Sequence, residues 1–191
     1  MDIEYEATFV DVDKEIIRGK LKKVGAELVR PEFLQKRKTF ELPVGHEIPG
    51  GWLRVRDEGD KITLSLKIVD GNKIENQKEI CLKVNDFENT CNLLQTIGCV
   101  QKAYQETRRE LWKIDDVEIT IDEWPFLEPF VEIEGQSEQV VRQVAEKLGF
   151  EWGQAKFCAV DVLYAEKYGI SEDRIDNHTS EILFDMKNPF Q

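Results

Sequence analysis

Like charges on this chain come in pairs two residues apart. Glu4 and Glu6, Arg54 and Arg56, and Glu132 and Glu134 are such pairs, and Lys61/Lys67 and Glu118/Asp122 add more charge of each sign in phase. A strand alternates its faces at period two, so each pair sets two like charges side by side on one face. Lys61 to Ile68 shows the pattern: Lys61, Thr63, Ser65 and Lys67 alternate with Ile62, Leu64, Leu66 and Ile68. Adjacent like charges repel unless an opposite charge sits between them. Solvation and cross-strand pairing explain any single pair, but the whole set, each with an apolar opposite face, is too highly charged for an ordinary solvent face. If the sheet curls so that these faces turn inward, its interior is a polar cavity holding acids and bases together.

The remaining elements fit such a sheet. Strands are expected over Ile3–Val12, Phe33–Leu42, Trp52–Arg56, Lys61–Ile68, Gln77–Val84, Tyr104–Ile114, Val117–Glu123 and Phe130–Glu134, with a hairpin about Asp115-Asp116. Asp13 is placed to cap a helix carrying Ile16, Ile17, Leu21 and Val24 and ending at Gly25. Asn85 is expected to cap a second helix, with Glu88 in capping-box position and Gly98 at its end, and Ser137 a third, ending at Gly149. A further helix covers Val160–Tyr168. The class is therefore α+β with a largely antiparallel sheet. At 191 residues one domain is the default, read as residues 1–170 followed by a polar tail at 171–191.

Composition enters as a set of exclusions. No apolar run approaches the 18 or so residues of a membrane span. The opening MDIEYEATF has no basic stretch followed by an apolar one, so no secretory signal is expected and the chain is read as cytoplasmic. With 26 Lys and Arg against 38 Asp and Glu the net charge is −12, which repels a phosphate backbone, so duplex nucleic acid is not an expected partner. Cys81, Cys91, Cys99 and Cys158 form no C-x-x-C pair, and His46 and His178 lie far apart, so structural zinc lacks its usual spacing and reduced thiols are expected.

A cavity with this lining suits one class of ligand. Carboxylate clusters hold Mg²⁺ or Mn²⁺ through oxygen. Arg and Lys clamp phosphate oxygens, Arg in bidentate fashion. Together they describe a metal–triphosphate site, and with no Walker A loop and no G-x-G-x-x-G in the chain, phosphate contacts must come from side chains on strands.

The segments I-E-Y-E-A-T-F, W-L-R-V-R, T-L-S-L-K and I-D-E-W-P-F-L-E-P-F-V-E-I-E-G, in that order, resemble the CYTH domain, or triphosphate tunnel metalloenzyme, family over about residues 2 to 165. The resemblance implies an antiparallel β-barrel tunnel flanked by helices and action on a small-molecule triphosphate with Mg²⁺ or Mn²⁺, as in the family's class IV adenylyl cyclases and its inorganic, thiamine and RNA triphosphatases. It implies that Glu4, Glu6, Glu132 and Glu134 are catalytic metal ligands, with Asp122 as a ligand or support. Arg54, Arg56 and Lys67 would grip phosphate, together with Arg109 or Arg108. Lys156 stands where a tunnel-facing lysine often lies. The expected activity is hydrolysis by a triphosphatase; the alternatives are a class IV adenylyl cyclase and a non-catalytic triphosphate-binding module. The expected partner is the triphosphate itself, with no membrane, in a monomer or homodimer.

Three positions depart from the family pattern. Thr8 stands where E-x-E-x-K has lysine, and Gln77 and Cys81 replace a base and an acid of R-x-E-x-E. Threonine donates a hydrogen bond but brings no charge and no base at neutral pH. Lys36, Arg37 or Lys38 could make good the lost charge, and Arg37 is in phase with Gln35 and Thr39. The aromatic residues, Trp52 and Trp124 included, are expected to serve as core or rim packing.

Overall fold

The charged faces do turn inward. A computed structural model covering residues 1–191 contains β1 (Asp2–Ile3), β2 (Tyr5–Phe9), α1 (Lys14–Lys23), β3 (Glu27–Glu41), β4 (Gly51–Asp57), β5 (Ile62–Val69), β6 (Gln77–Val84), α2 (Phe87–Thr96), β7 (Val100–Ile114), β8 (Val117–Glu123), β9 (Phe130–Gly135), α3 (Glu138–Lys147), α4 (Val160–Tyr168), α5 (Glu172–His178) and β10 (Glu181–Ile182). The sheet runs β1-β6-β5-β4-β3-β7-β8-β9-β2, every neighbouring pair antiparallel. Because β1 and β2 are consecutive in the chain, the two ends of that path are joined covalently at Glu4 and the sheet closes into a nearly complete barrel.

The seam at Glu4 is sealed by hydrogen bonds. The Glu4 N–H donates to the Gln77 carbonyl at 2.9 Å, and the Gln77 side-chain amide donates to the Glu6 carbonyl at 2.8 Å. Further along the same edge, Thr8 and Lys156 exchange backbone bonds of 3.0 and 2.9 Å. These bonds satisfy backbone groups that an open edge would leave without partners.

Apolar residues occupy the outside of the barrel wall, beneath the helices. Ala7, Phe9, Ile119, Ile121, Val131 and Ile133 from β2, β8 and β9 pack against Ile17 and Leu21 of α1 and Val141, Val144 and Ala145 of α3. Each of the Ile, Leu, Val and Phe side chains among them, fully buried, contributes about 1.5–3 kcal/mol. A smaller cluster sets Cys91 and Leu94 of α2 on Phe40 and Val55. With the outer faces committed to these cores, period-two alternation sends the charged residues to the interior.

Local signals act largely as the sequence predicts. Asp13 caps α1, accepting from the Glu15 and Ile16 N–H groups, and Ser137 caps α3. The second helix differs by one residue: Asp86, not Asn85, is the cap, accepting from the Asn89 N–H at 2.8 Å. The segment after Gly169 forms α5 and β10; β10 lies parallel to β7, and Phe190 is buried against Tyr164. All four cysteines are free thiols, and no helix is long and apolar enough to cross a membrane.

Candidate active site

Inside the barrel lies a cavity of about 710 Å³ with one acidic and one basic wall. Strand register builds the acidic wall. Glu118 of β8 faces Glu134 of β9, which faces Glu6 of β2, so three carboxylates stand in one cross-strand row; in the next row Glu132 lies between Thr120 and Thr8. Carboxylate oxygens of Glu4, Glu6 and Glu134 all lie within 4.8 Å of one another. This crowding has a price in ionisation. Burial, reinforced by Glu132 and Glu4, pushes the Glu6 carboxyl well above its ordinary value. Burial and then Asp122 raise Glu132. Glu134 reaches solvent but is ringed by protein, and burial together with Glu4 pushes it up to about 7.

Across the cavity, β4 contributes Arg54 and Arg56, β5 Lys67, β3 Arg37 and β7 Arg109. Arg37 and Arg56 are directly opposite in the β3–β4 ladder. Burial, Arg54 and Arg109 lower the Arg56 guanidinium to about 10, and burial with Arg54 and Arg56 pushes Arg37 well below its ordinary value. Mutual repulsion of this kind marks a wall short of negative charge. The Nε groups of Arg37, Arg54 and Arg56 are buried with no hydrogen-bond acceptor. An unpaired buried donor is costly, so these point to an anion.

The walls meet at ion pairs. Lys67 contacts Glu4 at 2.8 Å and Arg54 contacts Glu79 at 3.0 Å. Burial opposes ionisation of Glu79, but Lys67 and Arg54 outweigh it and hold the carboxyl down to about 2. Arg109 donates to both oxygens of Asp122 at 2.7 and 2.8 Å and to Glu132 at 2.5 Å.

Most of the residues singled out in the sequence are brought together here: Glu4, Glu6, Glu132, Glu134, Arg54, Arg56, Lys67 and Arg109 all line the cavity. Three others are placed differently. Arg108 points outward, bonded to Glu123 at 3.3 Å and stacked on Phe184, because its neighbour Arg109 takes the inward phase. Asp122 is fully buried behind Arg109, with Thr120 donating to it at 2.6 Å; its oxygens are engaged in holding the arginine. Lys156 turns away to Glu166 at 2.8 Å. Of the departures, Thr8 is buried opposite Glu132 without lining the cavity, Gln77 stitches the seam, and Cys81 is exposed.

The sequence reading passed over Glu79 as a site residue, although it stands at period two from Gln77. Trp124 packs as expected, in the cluster with Phe130 and Tyr164, and its ring also lines the cavity 4.5 Å beneath the Arg37 guanidinium. At the α4–α5 end the lining continues with Cys158, Asp161, Glu172 and Asp176.

The donor set suits a divalent cation. Glu4, Glu6 and Glu134 are hard oxygen ligands with no His or Cys among them, the set that favours Mg²⁺ or Mn²⁺ over zinc. A cation there would offset the burial and the mutual repulsion that raise Glu6 and Glu134.

Residues 3–155 match the CYTH domain. A Methanocaldococcus jannaschii protein named as a candidate adenylate cyclase is 26% identical over 133 residues, covering 69% of this chain and 76% of that one. An X-ray structure of a candidate adenylate cyclase from Vibrio parahaemolyticus superposes with a TM-score of 0.73 at 11% identity, over 86% of this chain and 98% of that one. A Hippeastrum adenylyl cyclase candidate, described as having a dominant triphosphatase activity, gives 0.56 at 12% identity, over 88% and 97%. At such identities the two structures share the fold.

Proposed function

The chain belongs to the CYTH domain family, and from that premise we propose that it is a metal-dependent triphosphatase, cleaving a P–O–P bond of inorganic triphosphate or of a nucleoside or other organic triphosphate inside the barrel. The observation that carries this reading is the split cavity: an acidic wall more crowded than its own cations relieve, facing buried arginine N–H groups that lack acceptors. A triphosphate with its cation supplies both missing partners.

Glu4, Glu6 and Glu134 would hold Mg²⁺ or Mn²⁺, which when bound neutralises phosphate charge and eases attack by water. Arg54, Arg56, Lys67 and Arg109 bind and orient the phosphate oxygens. Asp122 keeps the Arg109 guanidinium aimed by engaging two of its N–H groups, and Thr120 in turn orients Asp122. Carboxylate oxygens of Glu6, Glu132 and Glu134 are the acceptors available for the protons of an attacking water. Thr8, buried in the inward-facing row opposite Glu132, adds neither charge nor base. Catalysis of this kind is mainly positioning and charge neutralisation.

The test is a ³¹P spectrum of the protein with Mg²⁺ or Mn²⁺, offered inorganic triphosphate and ATP separately. Orthophosphate appearing with diphosphate or ADP is the expected result. Diphosphate with a cyclic nucleotide from ATP would instead make the protein an adenylyl cyclase, the activity for which the M. jannaschii relative is named. Unchanged spectra from folded protein, with a metal-dependent thermal shift in triphosphate, would make it a binding module.

A further inference from the structure

Residues 156–191 lie beyond the stretch that matches the CYTH domain, and they build one end of the cavity. Glu172, Ile175 and Asp176 line it from α5, and Asp161 lines it from the first turn of α4. The three α5 positions are spaced i, i+3 and i+4, so they share one face, and that face looks into the cavity. At seven residues α5 is too short to hold its shape alone. It is tethered at both ends. Gly169, left-handed at φ 64°, turns the chain out of α4, and the Ser180 carbonyl accepts from the Tyr104 N–H at 2.9 Å where β10 joins β7. Between those points α5 is held by Ile175, buried against Leu163 and Tyr164, and by Arg174, which donates to the Pro189 carbonyl at 2.8 Å. A helix held this lightly between two tethers can lift and return.

Where α5 meets α4, two like charges face each other. The Asp161 and Asp176 carboxyls lie within hydrogen-bond reach, and two carboxyls hydrogen-bond only when one of them carries a proton. One Asp161 oxygen is also buried without a donor. The groups around the pair do not neutralise it. From α5, Glu172 faces Asp161, and Asp173, itself 3.3 Å from the exposed His178, faces Asp176. Cys158, ahead of α4, stays neutral because burial pushes its thiol up to about 12. Lys102 of β7 is the cation that faces the pair, 3.9 Å from Asp176, and Lys156 is taken by Glu166. Burial, and after it the Asp176 charge, pushes Asp161 up to about 7, and burial raises Asp176 as well. Carboxyls raised in the folded state stabilise the α4–α5 contact in acid, and that contribution is lost as the pH climbs through about 7.

We propose that this carboxyl pair is a proton latch for α5: with one proton shared between Asp161 and Asp176 the helix stays shut on the cavity, and without it the two carboxylates push α5 off α4 and open that end. Nothing in this latch depends on what the cavity binds.

The experiment is amide hydrogen exchange at pH 5 and pH 8 on wild type, Asp161→Asn and Asp176→Asn. Exchange in α5 is read as a ratio to α3, which packs on the outside of the barrel, so that the intrinsic pH dependence of exchange cancels. In wild type the opening of α5 should rise about ten- to a hundredfold from pH 5 to pH 8, the larger figure being the full linkage of one proton held at about 7 against an ordinary 3.8. Asparagine supplies a donor that does not ionise, so both variants should keep α5 protected at pH 8. Acrylamide quenching of Trp124, taken as the difference between wild type and Trp124→Phe, should grow over the same interval, since that ring lines the cavity and packs in the same cluster as Ile175. Equal α5 protection at both pH values in wild type, or variants that lose protection as wild type does, would overturn the proposal. So would an α5 that opens with no gain in Trp124 quenching, because the helix would then not be covering the cavity. Should one variant loosen α3 as well, the other decides.

Discussion

Replacing Glu134 by Gln removes one negative charge from the row Glu118–Glu134–Glu6 while keeping the shape of the side chain. The folded protein holds this carboxyl at about 7 instead of 4.5, by burial and by Glu4. A carboxyl raised in the folded state contributes its full stability below pH 4.5 and loses it as the pH climbs through about 7. At about 1.4 kcal/mol per pH unit, that span would be worth about 3 kcal/mol for a dry site. Glu134 reaches solvent, and screening reduces the figure to about 1.5 kcal/mol. For a chain of this length the corresponding rise in melting temperature is about 3–6 °C. Thermal melts of EDTA-treated protein are the assay. Glu134→Gln should melt above wild type at pH 8.5 and level with it near pH 4.5, and Mg²⁺ or Mn²⁺ should stabilise wild type far more than the variant. A variant melting at or below wild type at pH 8.5, or one keeping the full metal response, would refute the idea that these carboxylates are crowded for a cation.

Glu79 carries the opposite sign. Its carboxyl is held down to about 2, so it contributes about 3 kcal/mol above pH 4.5 that is lost as the pH falls through 2. Glu79→Gln should lower urea stability by about that amount at pH 7 and hardly at all at pH 2; equal losses at both would show that packing, not charge, is at stake. Asp122→Asn breaks a buried bidentate pair, a loss of about 3–5 kcal/mol, and should lower the melting temperature by on the order of 10 °C while weakening triphosphate binding through a misdirected Arg109. Wild-type melting and affinity together would show that Glu132 alone positions the arginine. Phe190→Ala should cost about 3 kcal/mol by emptying the site against Tyr164. A change in urea stability well under 1 kcal/mol would make the last residues a loose tail.

How far the sequence could be read depended on the range of the determining contact. Charge at period two identifies inward faces because each strand carries its own evidence. The choice between Arg108 and Arg109 was also within reach: a turn at Asp115-Asp116 sets Ile114 opposite Val117, and counting back brings Arg109, not Arg108, opposite Asp122. Phase along β3 could not be carried over its whole length, because irregularities fall between Leu28 and Arg30, Arg30 and Phe33, and Thr39 and Phe40. Between Phe33 and Thr39 it runs undisturbed, which is why Arg37 shares the face of Gln35. The end of the chain was opaque for another reason. Ala159 offers α4 no side-chain cap, and Phe190 finds its neighbours as far back as Phe126.

Two of the three departures acquire a common sense in the closed barrel, whereas nothing in the structure explains the exposed Cys81. Thr8 and Gln77 lie on the seam strands, where a backbone bridge to Lys156 and an amide bond to the Glu6 carbonyl complete the ring. Lysine and arginine at those positions would set positive charge beside Glu6 and Glu132 and relieve the acidic wall from within. Arg37 stands among the arginines of the facing wall, directly opposite Arg56. On the proposed function each wall takes its own counter-charge, and the field of either bound ion would assist binding of the other. Coupling of that kind is reciprocal: on the proposed function, a cation on Glu4, Glu6 and Glu134 would strengthen the hold on the polyphosphate, and the polyphosphate would strengthen the hold on the cation by the same factor.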